Sequence, residues 1–82
     1  MLKLKENYIL NKNEDDTYTI FDLENDKYYE INEIGGIVLS NINDELSTII
    51  NKVADIYEDN ENMVSDITMF YNEIKENFFE EE

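Results

Sequence analysis

The chain has 82 residues, six lysines and no arginine against 21 acidic residues, a net charge of −15, and no Cys, His, Pro or Trp. That length supports one core, hence a single domain over 1–82. The missing Cys and His remove disulfides, thiol nucleophiles, the usual zinc ligands and the usual general base, so no metal, cofactor or catalysis is expected. Nucleic acid and anionic membrane surfaces would repel so acidic a chain, whereas a basic peptide or the basic face of a protein would be attracted.

Met1 to Leu10 interleaves Lys and Glu with its apolar residues and makes no signal-peptide core. No stretch approaches the roughly 20 apolar residues of a membrane span, and the expected location is cytoplasmic. Tyr8-Ile9-Leu10 reads as a short strand ending in the polar turn from Asn11 to Asp16. Thr17 to Leu23 and Lys27 to Ile31, rich in β-branched and aromatic residues, complete a three-stranded antiparallel meander. A two-residue loop at Asn25-Asp26 would pair Ile20 with Ile31, Asp22 with Tyr29 and Leu23 with Tyr28. Tyr18, Ile20, Tyr29 and Ile31 would then face the helices, with Phe21, Leu23 and Tyr28 on the other side.

The remainder reads as helical. Asn32 is a good N-cap ahead of Ile34, Ile37, Val38 and Ile42, and Asn41 to Asp44 forms a polar break. Asp44 can cap a second helix carrying Leu46, Ile49, Ile50, Val53 and Tyr57 at i, i+3, i+4, i+7 spacing. After a polar connection from Glu58 to Asn62, a third helix runs from about Met63 to Asn77. Its stripe of Met63, Val64, Ile67, Phe70, Tyr71, Ile74 and Phe78 is wider than one partner helix needs: either both other helices and the sheet clasp it, or one margin lines a groove. The end of the chain beyond Phe78 is expected to fray.

Asp22, Glu24, Asp26, Glu30 and Glu33 match positions of a calcium-binding loop. The sixth position, which needs Gly, is Lys27, and the flanks are strand-like, so these acids read as a solvated hairpin. Ser40 and Ser65 lack the Asp-Ser-Leu context of a carrier-protein arm. Most of Tyr18, Phe21, Tyr28, Tyr29, Phe70 and Tyr71 are expected in the core, with Phe21 and Tyr28 turned outward. The strand from Lys27 to Ile31 ends the meander, and its outer edge is either open to an extended peptide or merely guarded by Lys27 and Glu30.

Ile31-Asn32, then Gly35, Ile37-Val38-Leu39, Asp44-Glu45-Leu46 and Val64-Ser65-Asp66-Ile67-Thr68-Met69-Phe70 follow one another in an order and spacing that resembles the PqqD family. These are the peptide-recognition domains of ribosomal peptide natural-product pathways. The resemblance implies an α+β, winged helix-turn-helix-like fold, with a three-stranded antiparallel sheet followed by three helices. It also implies a non-catalytic adaptor that binds the leader segment of a precursor peptide as an added strand between the third strand and third helix. The adaptor presents that peptide to a modifying enzyme: a radical SAM enzyme, leader peptidase or cyclase. On this reading the backbone of Lys27, Tyr28, Tyr29, Glu30 and Ile31 pairs with the peptide, and Asp66, Phe70, Tyr71 and Ile74 form the opposing wall. Asp66 or Glu73 would meet a basic residue of the leader. Which margin of the third helix faces the groove stays open, with Tyr71 and Lys75 on one side and Asp66 and Phe70 on the other. The alternative is an acidic protein-interaction module, such as a nucleic-acid mimic covering a basic surface.

Overall fold

The β-branched and aromatic runs form strands and the apolar stripes form helices in the expected order. A computed structural model describes residues 1–57 and 62–82. Its elements are β1 (Leu2–Leu4), β2 (Tyr8–Lys12), β3 (Tyr18–Asp22), β4 (Lys27–Ile31), α1 (Glu33–Ser40), α2 (Leu46–Ile56), α3 (Met63–Phe78) and β5 (Phe79–Glu81). Strands β2, β3 and β4 make an antiparallel meander in that order. The expected connection at 58–62 lies outside the described residues apart from Asn62.

The β3–β4 register departs from expectation. Ile20 pairs with Tyr29, Phe21 with Tyr28 and Asp22 with Lys27, so the loop holds four residues, 23–26, instead of two. Asp22 accounts for this: its carboxylate accepts from Glu24 N (3.0 Å), Asn25 N (3.2 Å), Asn25 Nδ2 (2.8 Å) and Asn7 Nδ2 (3.2 Å). Asp26 then turns the chain at φ 57°. Because the slip is two residues, every side chain keeps its expected face. Asp22 is buried beneath the loop, not solvated.

The Asn25 side chain, with Asn7 and the two backbone N–H groups, holds the Asp22 carboxyl below its ordinary value against the opposing effect of burial. A folded-state pKa below the unfolded one contributes stability that is complete above the unfolded value of about 3.9 and is lost as pH falls through the folded value. Urea midpoints should therefore drop more steeply below about pH 4 in the native chain than in Asp22→Asn. Parallel acid profiles for the two would remove Asp22 from this role.

The core takes Ile20 and Ile31 from the sheet, Val38 and Leu39 from α1, Ile49 and Val53 from α2, and Met63, Ile67, Ile74 and Phe78 from α3. Asn32 caps α1 as expected, its side chain accepting from Gly35 N at 2.8 Å, a contribution of about 1 kcal/mol. Asp44 does not cap α2: Glu45 occupies that position without a side-chain bond, and Asp44 Oδ2 instead takes Lys52 Nζ at 2.9 Å. Val64, placed on the apolar stripe by its spacing, is exposed, because the first turn of α3 presents Met63 and Ile67 to the core.

The chain does not fray beyond Phe78. Phe79–Glu81 pairs antiparallel with Leu2–Leu4, and Leu2, Leu4 and Phe79 pack against the core. Lys5 Nζ reaches the Glu76 and Asn77 carbonyls at 3.3 and 3.4 Å, satisfying the end of α3. Two three-residue strands are too short for alternation to announce them.

Candidate functional site

Among the described residues strand β4 has one neighbour, β3, and the ladder decides which of its backbone groups are free. Leu23 N–H donates to the Asn7 carbonyl and Asn13 N–H to the Thr17 carbonyl, each at 2.8 Å. The odd-numbered residues of β3 thus face β2, and antiparallel alternation turns Tyr18, Ile20 and Asp22 toward β4. Their partners are Ile31, Tyr29 and Lys27. The N–H and C=O groups of Tyr28 and Glu30 consequently point to the open edge, as two donor–acceptor sets about 7 Å apart.

Other edges differ in what lies beside them. At β1 the Asn43 amide occupies both backbone groups of Leu2, with Oδ1 accepting from N at 2.8 Å and Nδ2 donating to O at 3.1 Å. Next to β4 instead runs a groove of about 440 Å³, lined by Tyr28, Tyr29, Glu30 and Ile31 on one side and by Phe70, Glu73, Ile74, Asn77 and Phe78 of α3 on the other. The helical members recur at i, i+3, i+4, i+7 and i+8, one face of an α-helix. The Phe78 ring forms the floor, meeting Tyr29 edge-on at 5.2 Å and Tyr8 at 4.9 Å.

A second cavity of about 250 Å³ continues the groove past the end of β4, lined by Asn32, Ile34, Gly35, Met63, Asp66, Ile67 and Phe70. Phe70 belongs to both. Its ring can sit there because residue 35 has no side chain: a Cβ on Gly35 would stand 2.6 Å from Phe70 Cζ and from Ile31 Cγ2. A wider polar cleft of about 750 Å³ flanks the same strand end, between Asn13, Glu14, Asp15 and Thr17 and residues Glu30, Ile31 and Asn32. There Asp15 accepts from the Thr17 hydroxyl and N–H, and these bonds hold its carboxyl below the usual range.

Of the expected site residues, Tyr28, Tyr29, Glu30, Ile31, Phe70 and Ile74 come together in the groove, and Asp66 stands in the adjoining cavity. Two do not join them. Lys27 starts the strand opposite Asp22 and does not line the groove. Tyr71 lies on the neighbouring margin of α3, its ring centroid 5.8 Å from Lys75 Nζ. The open question of the helix margin is thereby answered: the side carrying Asp66, Phe70 and Glu73 faces the groove. Asn77, Phe78 and Gly35 were missing from the expected set, although counting i+7 and i+8 from Phe70 reaches the first two.

The aromatic expectation also needs correction. Tyr18, Phe70 and Tyr71 are half-buried against the core, while Phe21, Tyr28 and Tyr29 are exposed. Tyr29 was expected to be covered by helices; it stays open because β4 and α3 stand apart with no element between them among the described residues. The groove therefore combines an apolar floor, unpaired strand edge and the carboxylates of Glu30, Glu73 and Asp66, with no lysine among its lining residues.

The model of the family described as coenzyme PQQ synthesis protein D (PqqD) matches residues 17–79, from just before β3 to the start of β5. No curated protein matches. Among solved structures the chain is similar to TbiB1 in complex with the TbiA(beta) leader peptide, at 15% identity over 93% of each chain with a TM-score of 0.71. It is also similar to a lasso peptide synthetase B1 complexed with the leader peptide, at 13% identity over 98% of each chain with a TM-score of 0.76. At such identities the likeness establishes the fold.

Proposed function

Because the chain belongs to the PqqD family, we propose that it is a non-catalytic adaptor that captures the leader segment of a ribosomally made precursor peptide and presents it to a modifying enzyme. The observation that carries this is the open edge of β4 beside the apolar groove walled by α3. Both structural neighbours were solved in complex with leader peptides. Strand addition at Tyr28 and Glu30 supplies backbone hydrogen bonds to any extended peptide, and selectivity comes from alternate side chains entering the groove.

In this reading apolar residues of the leader rest on Phe70, Ile74 and Phe78, while a Lys or Arg meets Glu73 or Asp66. Binding is moderate, since the peptide gives up its chain freedom on docking. Among the described residues no helix is long and apolar enough to cross a membrane, and we place the adaptor in the cytoplasm with its partner enzyme. A ¹⁵N NMR titration with the leader of the precursor peptide encoded beside its gene tests the proposal. Saturable shifts should concentrate on 27–31 and on the Phe70, Glu73, Ile74 and Asn77 margin. Absence of shifts at millimolar leader, with the fold intact, would reject it in favour of an acidic module seeking a basic protein.

A further inference from the structure

Cross-strand partners share a face, so the sheet turns two rows of side chains away from the helices: Ile9, Phe21 and Tyr28, and beside them Asn11, Thr19 and Glu30. Among these side chains Glu30 alone is charged, and it stands exposed at the open end of its row. Among the described residues its carboxylate has no ion-pair partner. The same residue offers its N–H and C=O to an incoming strand, so a peptide held by that backbone must set one side chain directly beside this carboxylate.

The chemistry of that side chain follows from its surroundings. It would continue a row of amide, hydroxyl and carboxylate, where a large apolar group would find nothing to pack on. An Asp or Glu would set like charges opposite one another, which is unfavourable across strands, whereas Lys or Arg would make an opposite-charge pair. The polar cleft at this strand end carries Glu14 and Asp15 beside Glu30 and has no lysine among its lining residues, so a cation there meets no repulsion from its walls.

Alternation fixes what stands on either side of this residue. Its two neighbours in the peptide lie opposite Tyr29 and Ile31, whose side chains face the helices, and both therefore point into the groove. There they meet Phe70, Ile74 and Phe78. The pattern of an apolar residue, a Lys or Arg, and a second apolar residue reads the same in both chain directions. Glu73 and Asp66 stand on α3, across the groove, and cannot reach the outward side chain.

We infer that the Glu30 carboxylate is a specificity determinant of the peptide edge, selecting a leader Lys or Arg that points to the outer face between two apolar residues that face the groove. The inference rests on the strand-addition reading, and the test separates the two. A random peptide library displayed on mRNA is selected in parallel on the native chain and on Glu30→Lys, and the best native binder is synthesised. The native pool should enrich Lys or Arg at one position between two apolar ones. The Glu30→Lys pool should carry Asp or Glu at that position and keep both apolar neighbours. The native binder should lose roughly fivefold in affinity for Glu30→Lys, the size of a good cross-strand charge pair, and less for the isosteric Glu30→Gln. Asp55→Lys, which makes the same change in net charge at an exposed residue of α2, should bind it nearly as the native chain does.

The same residue preferences in both pools would overturn the inference and leave Glu30 as a guard of the edge. So would an equal loss in Asp55→Lys and Glu30→Lys, which would assign the preference to overall charge. In either case, failure of the native binder to bind Tyr28→Pro would leave strand addition standing. Undiminished binding to Tyr28→Pro would remove strand addition, and the role of Glu30 with it.

Discussion

Tyr28→Pro is expected to leave the domain folded and to weaken leader binding at least tenfold, whereas Tyr29→Pro is expected to damage the fold itself. The difference follows from the ladder. Tyr29 pairs with Ile20, and its N–H belongs to the β3–β4 hydrogen bonds, so proline there removes an internal bond and strands a buried carbonyl at a cost of about 1–3 kcal/mol. The Tyr28 N–H points to the open edge, where the native sheet makes no use of it. Proline at an edge-facing position is tolerated by a sheet but denies an incoming strand its donor and crowds its approach. A tenfold loss corresponds to about 1.4 kcal/mol, within reach of one hydrogen bond plus the misfit of its neighbours. Tyr28→Ala is the control: it keeps the N–H and removes the ring, and should bind leader nearly as the native chain does. Leader affinity and urea midpoints measured on the three variants decide the matter. A folded Tyr28→Pro with native affinity would place the peptide elsewhere than on β4.

Much of this geometry is legible in the sequence. The meander, the three helices and the Asn32 cap are local features, each written into a few consecutive residues. Face assignment survived the wrong loop length because the error was an even number of residues. What could not be read was non-local. The β1–β5 pairing joins residues from opposite ends of the chain through three-residue strands, and only the folded core brings Leu4 and Phe79 together. The burial of Asp22 was equally hidden: a run of alternating acids looks solvated until the Asn7 and Asn25 amides converge on one of them. At the site, helical spacing identified Phe70 and Ile74. The groove-facing margin needed the position of α3 against β4, which put Tyr71 outside and Phe78 inside. The resemblance to the PqqD family supplied the peptide-binding idea; spacing alone supplied only an edge and a broad stripe.

Gly35→Ala is expected to reduce leader affinity at least tenfold at a modest loss of stability, and Gly36→Ala to lose stability without losing affinity. Both glycines sit in α1 at close approaches. The new Cβ at 35 would meet Ile31 Cγ2 and Phe70 Cζ at 2.6 Å, whereas at 36 it would meet the Tyr18 ring at 2.8 Å and the Asp16 carbonyl oxygen at 3.2 Å. Each overpacking costs about 1–3 kcal/mol, partly offset by the roughly 1 kcal/mol that Ala gains over Gly within a helix, leaving a net loss of order 1 kcal/mol. The consequences diverge because of what has to move. Tyr18 yields on the far side of α1, where the cleft it shares with Gly36, Ile37 and Ser40 is separate from the peptide groove. Phe70 is the ring common to the groove and to the adjoining cavity, and the direction left to it is into the space reserved for leader side chains. Shortening that ring should relieve the clash, so Gly35→Ala/Phe70→Leu is expected to regain stability relative to Gly35→Ala alone. Equal leader affinity in Gly35→Ala and Gly36→Ala would mean that the Phe70 ring does not shape the peptide site.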